Sequence, residues 1–486
     1  MRDGAEASGD AGGPPLVGIG ALTPAQDHVR DERRPGIVHL GLGAFHRSHQ
    51  AWYTQHVASD EEPWGIAAFT GRRPDQAELL ARQNAVYTLI TRAADGDTAE
   101  FIDAVIEAHD GADTARWREA LADPRTGVVT LTVTEAAYHR AADGGIDVES
   151  PVVRGDLALL RDGLSDTACT TAPGRLLDGL RARRDASGGP LAVVCCDNLT
   201  DNGRVVRDVV MSLAEAADPA LAAWILSTVS FVSSMVDRIT PATTEGDRAD
   251  ALALTGFDDA AVVVAEPFAE WVLSGDFPAG RPAWETAGAH FVDDLEPYEQ
   301  RKLWLLNAGH SLLAYLGLHL GHETIDEAMR DPRCTEPLER LWDEAARELP
   351  LPAAEIAQAR ASLQERFENP RIRHRLRQIA SDGSVKLPVR VVDPLRRRLA
   401  RGEPIGDGAA TALAAWWLHV TRQRSLVSDA AAASLPPSAT VSDVLALVAP
   451  GLDRDAAVEA AVTAAAERIL QLPSSAPTPT TTGVPA

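Results

Sequence analysis

The chain has 486 residues, 45% of them hydrophobic, enough for two domain cores, since a single core rarely outgrows about 250–300 residues. Forty-six basic against 70 acidic side chains leave a net charge of −24, which argues against a nucleic-acid surface that phosphates would accept. No apolar run of 18 residues, no signal peptide, no metal or disulfide spacing among Cys169, Cys195, Cys196 and Cys334, and no lysine in a Gly-rich stretch argue against a membrane span, an oxidised scaffold and a Walker-type loop. These features predict a soluble protein of the reducing cytoplasm, monomer or dimer being left open.

Residues 1–34, rich in Gly, Ala, Asp and Arg, predict a flexible arm. Residues 35–290 then read as a dinucleotide-binding domain. Ile37–Leu40 is a short buried strand, Gly41-Leu42-Gly43-Ala44 a tight turn, and Phe45 onward a helix carrying Arg47. Such a turn lets backbone N–H groups approach a pyrophosphate. His46 stands where the GxGxxG pattern has its third glycine. His46 and His49 lack the further ligands that a metal site needs, so they are read as helix or cofactor contacts.

A second strand, Trp64–Phe69, ends at Thr70-Gly71-Arg72-Arg73. The acid that would hold an adenosine ribose in an NAD site is missing there, and the two arginines raise NADP as an alternative to NAD. Further strands are expected at 86–91, 101–108, 128–134, 191–196, 229–232, 261–265 and 289–292, with helices at 151–164, 175–184 and 200–217. That alternation predicts an α/β fold with a mostly parallel, doubly wound sheet. Asn198 would sit at a carboxyl end of this sheet, one of Asp197, Asn198 and Asp201 capping the helix that follows. Asp237-Arg238 closes a strand as either an internal ion pair or a site element.

From 291 to 474 helical patterns dominate, at 297–316, 323–329, 334–348, 353–367, 372–380, 388–402, 409–423 and 441–449. Residues 475–486, Pro/Thr-rich, predict a disordered tail. Only two of the basic residues, Lys302 and Lys386, are lysine. Arginine stays protonated throughout the working range, whereas a desolvated lysine can act as a base. Glu299, Lys302, Asn307 and His310 fall on one broad face of a predicted helix over Glu296–Tyr315, among leucines. That face suits proton abstraction by Lys302 and support of a substrate oxygen by Asn307 and His310. Lys386 is expected on a turn as a ligand contact or a solvated charge. Arg371, Arg373, Arg375 and Arg377 are expected on a solvated helix face, with one member reaching inward.

GLGAFHR, TLTVTEAAYH, CCDNLTDNG, FVSSMVDRITP, AEPFAEWVLSGDFPAGRPAWE and YEQRKLWLLNAGHS together resemble the polyol-specific long-chain dehydrogenases, which include mannitol 2-dehydrogenase and the fructuronate and tagaturonate reductases. The resemblance spans most of residues 36–400. It implies a Rossmann-type domain, a mainly helical C-terminal domain and metal-independent hydride transfer with NAD. It also implies roles: Lys302 as base, Asn198 and Asn307 holding the reacting oxygen, His310 contacting it, Glu299 on the proton path and Asp237 at the substrate. The expected substrate is a small polyol or aldonate, with mannitol first and mannonate (fructuronate in reverse) as the alternative. A Schiff-base lysine enzyme leaves the Gly41/Gly43 turn without a purpose, and a silent dinucleotide-binding regulator has no need of the Lys302/Asn307/His310 set.

Overall fold

The computed structural model describes residues 33–58, 63–163 and 166–473. The expected arm, save Arg33 and Arg34, and the expected tail lie outside the described residues. The chain divides into two compact units, one reaching residue 293 and the other running from Asp294 onward together with residues 93–95. The strands, in chain order, are β1 (Arg34–Leu40), β2 (Trp64–Phe69), β3 (Tyr87–Ala93), β4 (Gly96–Ile102), β5 (Val105–His109), β6 (Val128–Leu131), β7 (Leu191–Cys195), β8 (Val229–Asp237), β9 (Val263–Ala265), β10 (Glu270–Ser274) and β11 (His290–Phe291).

In the first unit eight strands form one sheet in the order β11-β10-β8-β7-β6-β1-β2-β5. The chain builds outward from β1 through β2 and β5, then returns to the other side of β1 for β6, β7 and β8, all in parallel. That reversal opens a crevice at the carboxyl ends of β1 and β6, the place where doubly wound sheets bind ligands. β10 runs antiparallel to β8, with Glu270 opposite Asp237. A separate small sheet takes the order β4-β3-β9.

Both faces of the large sheet are covered, so its strands read as apolar runs rather than as alternations. Val38, Leu40, Val129, Leu131 and Val193 pack under the helices Thr114–Ala122, Ala172–Asp185 and Asn202–Ala217. Ile37, Val128, Ala192 and Val194 face the opposite side, toward Trp271 and Trp284. The helix Asn202–Ala217 is tied directly to β8. Asn202 Nδ2 donates to the Ser234 carbonyl (2.8 Å), Ser234 N–H donates back to Asn202 Oδ1 (2.9 Å), and Gly203 N–H donates to Ser233 Oγ (3.1 Å). The residue at the N-cap position, Asp201, makes no capping bond, so the cap expected from the preceding turn comes from the neighbouring strand.

Several elements differ from expectation for physical reasons. The run 101–108 is cut at Asp103, which Arg33 holds at 2.6 Å, and its halves enter different sheets. β8 continues to Asp237 because β10 pairs with its end. The helix expected over 372–380 shortens to Leu376–Ile379. Pro219–Thr228 and the Ala-rich Ala456–Gln471 are helices whose low apolar/polar contrast hides the stripe that periodicity needs.

The second unit is helical, and Ala308–Leu320 is buried along nearly its whole length. It packs against Pro332–Ala346 and Asp407–Arg422. No helix among the described residues is long and apolar enough to cross a membrane.

A Cβ on Gly203 would lie 2.6 Å from both the Ser233 backbone nitrogen and Ser233 Oγ. Gly203→Ala should therefore lower stability by about 1–3 kcal/mol, the usual cost of overpacking. A shifted urea midpoint measures this, and an unchanged midpoint would show that the helix can slide on β8.

Candidate active site

Residues 296–320 form one continuous helix with a change of winding in the middle. Glu296–Arg301 is α-helical, Lys302–Asn307 is π-helical, and Ala308–Leu320 is α-helical again. The Ala308 N–H reaches back five residues to the Leu303 carbonyl. At 3.6 residues per turn, Lys302 and Asn307 would stand roughly 140° apart. A turn closed by i→i+5 bonds narrows that angle, a local winding that periodicity does not reveal.

The wide turn is supported from outside. Its displaced carbonyls are taken by side chains: Trp342 Nε1 donates to the Leu305 carbonyl (2.9 Å), and Arg390 Nη1 donates to the Asn307 carbonyl (3.2 Å) and to Ser311 Oγ (3.1 Å). Arg390 lies in a second π-helical stretch, Pro388–Val392, packed on the first. Pro388 brings no N–H to that helix, which fits a local rewinding there.

Asn307 and His310, three apart on this helix, are both buried, and Asn307 Nδ2 and His310 Nε2 have no partner among the described residues. Unsatisfied buried polar atoms of this kind call for a ligand or a functional reason. The His310 ring packs on Phe367 (4.6 Å between centroids) and edge-on to His374 (4.9 Å). Burial, and then the charges of His374, Arg366, Arg390 and Lys386, hold His310 well below the usual histidine range. Burial brings His374 down to about 4. Glu299 is buried and Lys302 half-buried on the same helix.

Lys386 sits in a short helix, Gly383–Leu387, rather than on a turn. Gly383 permits this, because a Cβ there would lie 2.3 Å from Trp416 Nε1 and 2.4 Å from the Tyr315 hydroxyl. Lys386 Nζ donates to Ser381 Oγ (3.2 Å) and to the Ile379 carbonyl (3.4 Å). Burial, followed by the nearby Arg390, lowers its pKa. Arg371, Arg373, Arg375 and Arg377 are exposed, and only Arg377 of the four is helical. The inward arginine is Arg390, buried enough to bring its pKa down to about 10.

In the first unit the Gly turn has the shape a dinucleotide needs. Gly41 adopts φ +113°, and a Cβ there would lie 2.1 Å from the Thr132 carbonyl oxygen. Gly41 and Leu42 N–H both donate to the Phe69 carbonyl (2.9 and 3.0 Å), fastening the turn to β2. A Cβ on Gly43 would meet only the Gly41 carbonyl, at 3.5 Å, so open space adjoins Gly43; Ala44 and Phe45, which follow, pack in part against the core. His46 stacks on His39 of β1, 3.3 Å between centroids and 10° between planes. This stack replaces the close helix–strand approach that a third glycine would allow.

Arg47 and Thr70 are turned to the structure itself. Arg47 donates to the Gly43 carbonyl, the Ala261 carbonyl and Gln76 Oε1, so it bears on a cofactor by bracing the turn. Thr70 Oγ1 accepts from Gly111 N–H (2.9 Å). Arg72 is exposed, beside a cavity at the end of β2.

Residues 35–286 match the Mannitol dehydrogenase Rossmann domain model, and residues 294–470 match the Mannitol dehydrogenase C-terminal domain model. The chain belongs to the mannitol dehydrogenase family of oxidoreductases. The D-mannonate oxidoreductase of Escherichia coli (strain K12) is 40% identical over 409 residues, covering 82% of each chain. The mannitol 2-dehydrogenase of Cereibacter sphaeroides is 38% identical over 376 residues, 76% of this chain and 77% of its own. The Pseudomonas fluorescens mannitol 2-dehydrogenase, solved as a ternary complex with NAD and D-mannitol, superposes with a TM-score of 0.78 at 31% identity, covering 94% of this chain and 95% of its own.

The remaining residues expected for this mannitol dehydrogenase family chain lie in the first unit. Asn198 is exposed on the turn just beyond β7, and Asp237 is buried at the end of β8. Arg238, beside it, turns inward to the Ser48 and Glu266 carbonyls (2.5 and 3.1 Å). The sequence reading missed His374 and Arg390. Arg390 follows Lys386 by one helical turn, but Pro388 between them reads as a helix start and breaks the pattern. His322, Asp331 and Cys334 lie within 4.8 Å of one another. Arg333 and His322 already occupy the Asp331 carboxylate, and burial pushes the Cys334 thiol up to about 12.

The buried histidines generate a pH prediction. His39, His46, His310 and His374 all have lowered pKa values, so below about pH 6.5 the unfolded chain binds protons that the folded chain refuses. Their contribution is full above that pH and is lost as pH falls, at up to about 1.4 kcal/mol per unit for each histidine. Urea midpoints should drop steeply between pH 6.5 and about 4. His374→Phe should reduce that slope by about one histidine's share, and a flat profile would contradict the buried neutral rings.

Proposed function

We propose that this oxidoreductase transfers hydride between the secondary alcohol of a polyol or aldonate and a nicotinamide dinucleotide, with Lys302 as proton acceptor. The observation that carries this reading is the pair of buried nitrogens without a partner among the described residues, Asn307 Nδ2 and His310 Nε2, about one and two turns beyond Lys302. The open cradle at Gly43, with Gly41 in a conformation that favours glycine, fits a dinucleotide pyrophosphate. When bound, the nicotinamide ring supplies the hydride acceptor.

Lys302 takes the hydroxyl proton as the carbinol carbon gives up hydride. Asn307 donates to the oxygen as negative charge gathers on it. His310, kept neutral by burial, orients the same oxygen, and Glu299 carries the proton onward. In the reductive direction each step reverses.

Arg366, Lys386 and Arg390 all act on His310 and lower its pKa. A cluster of cations beside the proposed oxygen site suits a substrate carboxylate, and so an aldonate such as D-mannonate. A hexitol remains the second reading, since hydroxyl groups also satisfy these donors.

Asn307→Ala should lower turnover by about 10²–10³, and Lys302→Ala by about 10²–10⁴, both measured as initial rates at saturating substrate. Near-normal turnover in either variant would remove these roles. Mannonate and mannitol compared in parallel should favour mannonate. In Lys386→Met the KM for mannonate should rise about tenfold or more, with a smaller effect for mannitol. An equal effect on both would return the hexitol to first place.

A further inference from the structure

We infer that the adenosine end of the dinucleotide site selects a 2′-phosphate, read by Arg72 and Arg175. The inference rests on the dinucleotide reading above and adds which form of the cofactor is preferred. A cavity of about 240 Å³ opens at the carboxyl ends of β1, β2 and β6, the crevice where the sheet order reverses. Leu40, Val133, Ala137 and Val152 supply apolar wall, suited to a flat purine. No carboxylate lines it. The acid that would accept a ribose diol after the second strand is replaced here by Gly71, Arg72 and Arg73.

The two arginines after β2 are not equivalent. Arg73 faces Asp75 at 3.3 Å. Arg72 has no ion-pair partner among the described residues and lines the cavity. Arg175, one turn into the helix Ala172–Asp185, lines it too and is locked in place. Its Nε donates to the Cys169 carbonyl (2.8 Å), and its Nη1 donates to the Gly71 and Thr70 carbonyls (2.5 and 3.4 Å). Its Nη2 has no partner within the chain among the described residues. The guanidinium is thus fixed at the backbone of the turn that carries Arg72, with one donor to spare.

The nearest carboxylates are engaged elsewhere. Asp156 accepts from Thr170 N–H, Thr171 N–H and Thr171 Oγ1. Asp110 accepts from Ala112 N–H and Thr70 Oγ1. Two guanidinium groups, one rigid and one adjustable, form a charge-assisted fork for a phosphate. An unphosphorylated ribose offers them nothing of matching charge.

Calorimetric titration of the full chain with 2′,5′-ADP and with 5′-AMP tests this without turnover. The 2′-phosphorylated probe should bind about tenfold tighter or more. The gap should close to within about twofold in Arg72→Ala and reverse in Arg72→Glu, with 5′-AMP affinity held in Arg72→Ala. Arg175→Met should also narrow the gap, provided that its circular dichroism spectrum matches the parent. Equal affinities in the parent, or a gap that survives Arg72→Ala, would overturn the inference. Silence with mannitol and mannonate alike, on either dinucleotide, would instead overturn those two substrates while leaving the probe result to stand.

Discussion

The wide turn of helix over Lys302–Asn307 is the constraint on which the second unit is arranged. An α-helix there would leave Lys302 and Asn307 at opposite edges of one broad face. The π-helical winding narrows that angle and changes which backbone carbonyls find partners within the helix. Buried carbonyls are costly unless something donates a hydrogen bond to them. Trp342 and Arg390 do so from two other helices. Both partners are themselves buried or nearly so, so the geometry of the polar face is set by core packing. Helix Ala308–Leu320 then continues as a core element, and the same segment serves as scaffold and chemical surface.

The first unit solves a different problem with similar economy. Its Gly41 turn must remain open on one side and firm on the other. Firmness comes from the Phe69 carbonyl, the Thr132 hydroxyl and the His39–His46 stack. A Cβ on Gly43, by contrast, would meet only the Gly41 carbonyl. Arg47 belongs to this support, since its donors run to Gly43 and into the protein interior. Burying so many neutral histidines ties the stability of both units to a pH above the ordinary histidine range.

Much of the sheet was legible because its strands are buried on both faces and stand out as apolar runs between glycine and aspartate. Trp64–Phe69 and Leu191–Cys195 are of this kind. Elements were lost where composition is uniform, as in the Ala-rich Ala456–Gln471, or where a run spans two sheets, as at Asp103. In the candidate site Lys302, Asn307, His310 and Lys386 stood out by rarity and spacing. Arg390 and His374 did not, since one arginine among many and a histidine in an exposed basic stretch carry no local mark. Their importance lies in what they touch.

By itself the sequence determined the two-part architecture, the doubly wound sheet, the glycine turn and the polar helix face. Each of these follows from local rules: apolar periodicity, the conformational freedom of glycine, and the scarcity of lysine in an arginine-rich chain. Only the tertiary structure decided how that face is wound, which arginine turns inward, and which lines the cavity beyond β2. Those outcomes depend on which distant groups donate to buried carbonyls and on which charges find partners. Such long-range competition for hydrogen bonds leaves no periodic trace in the residues that take part in it.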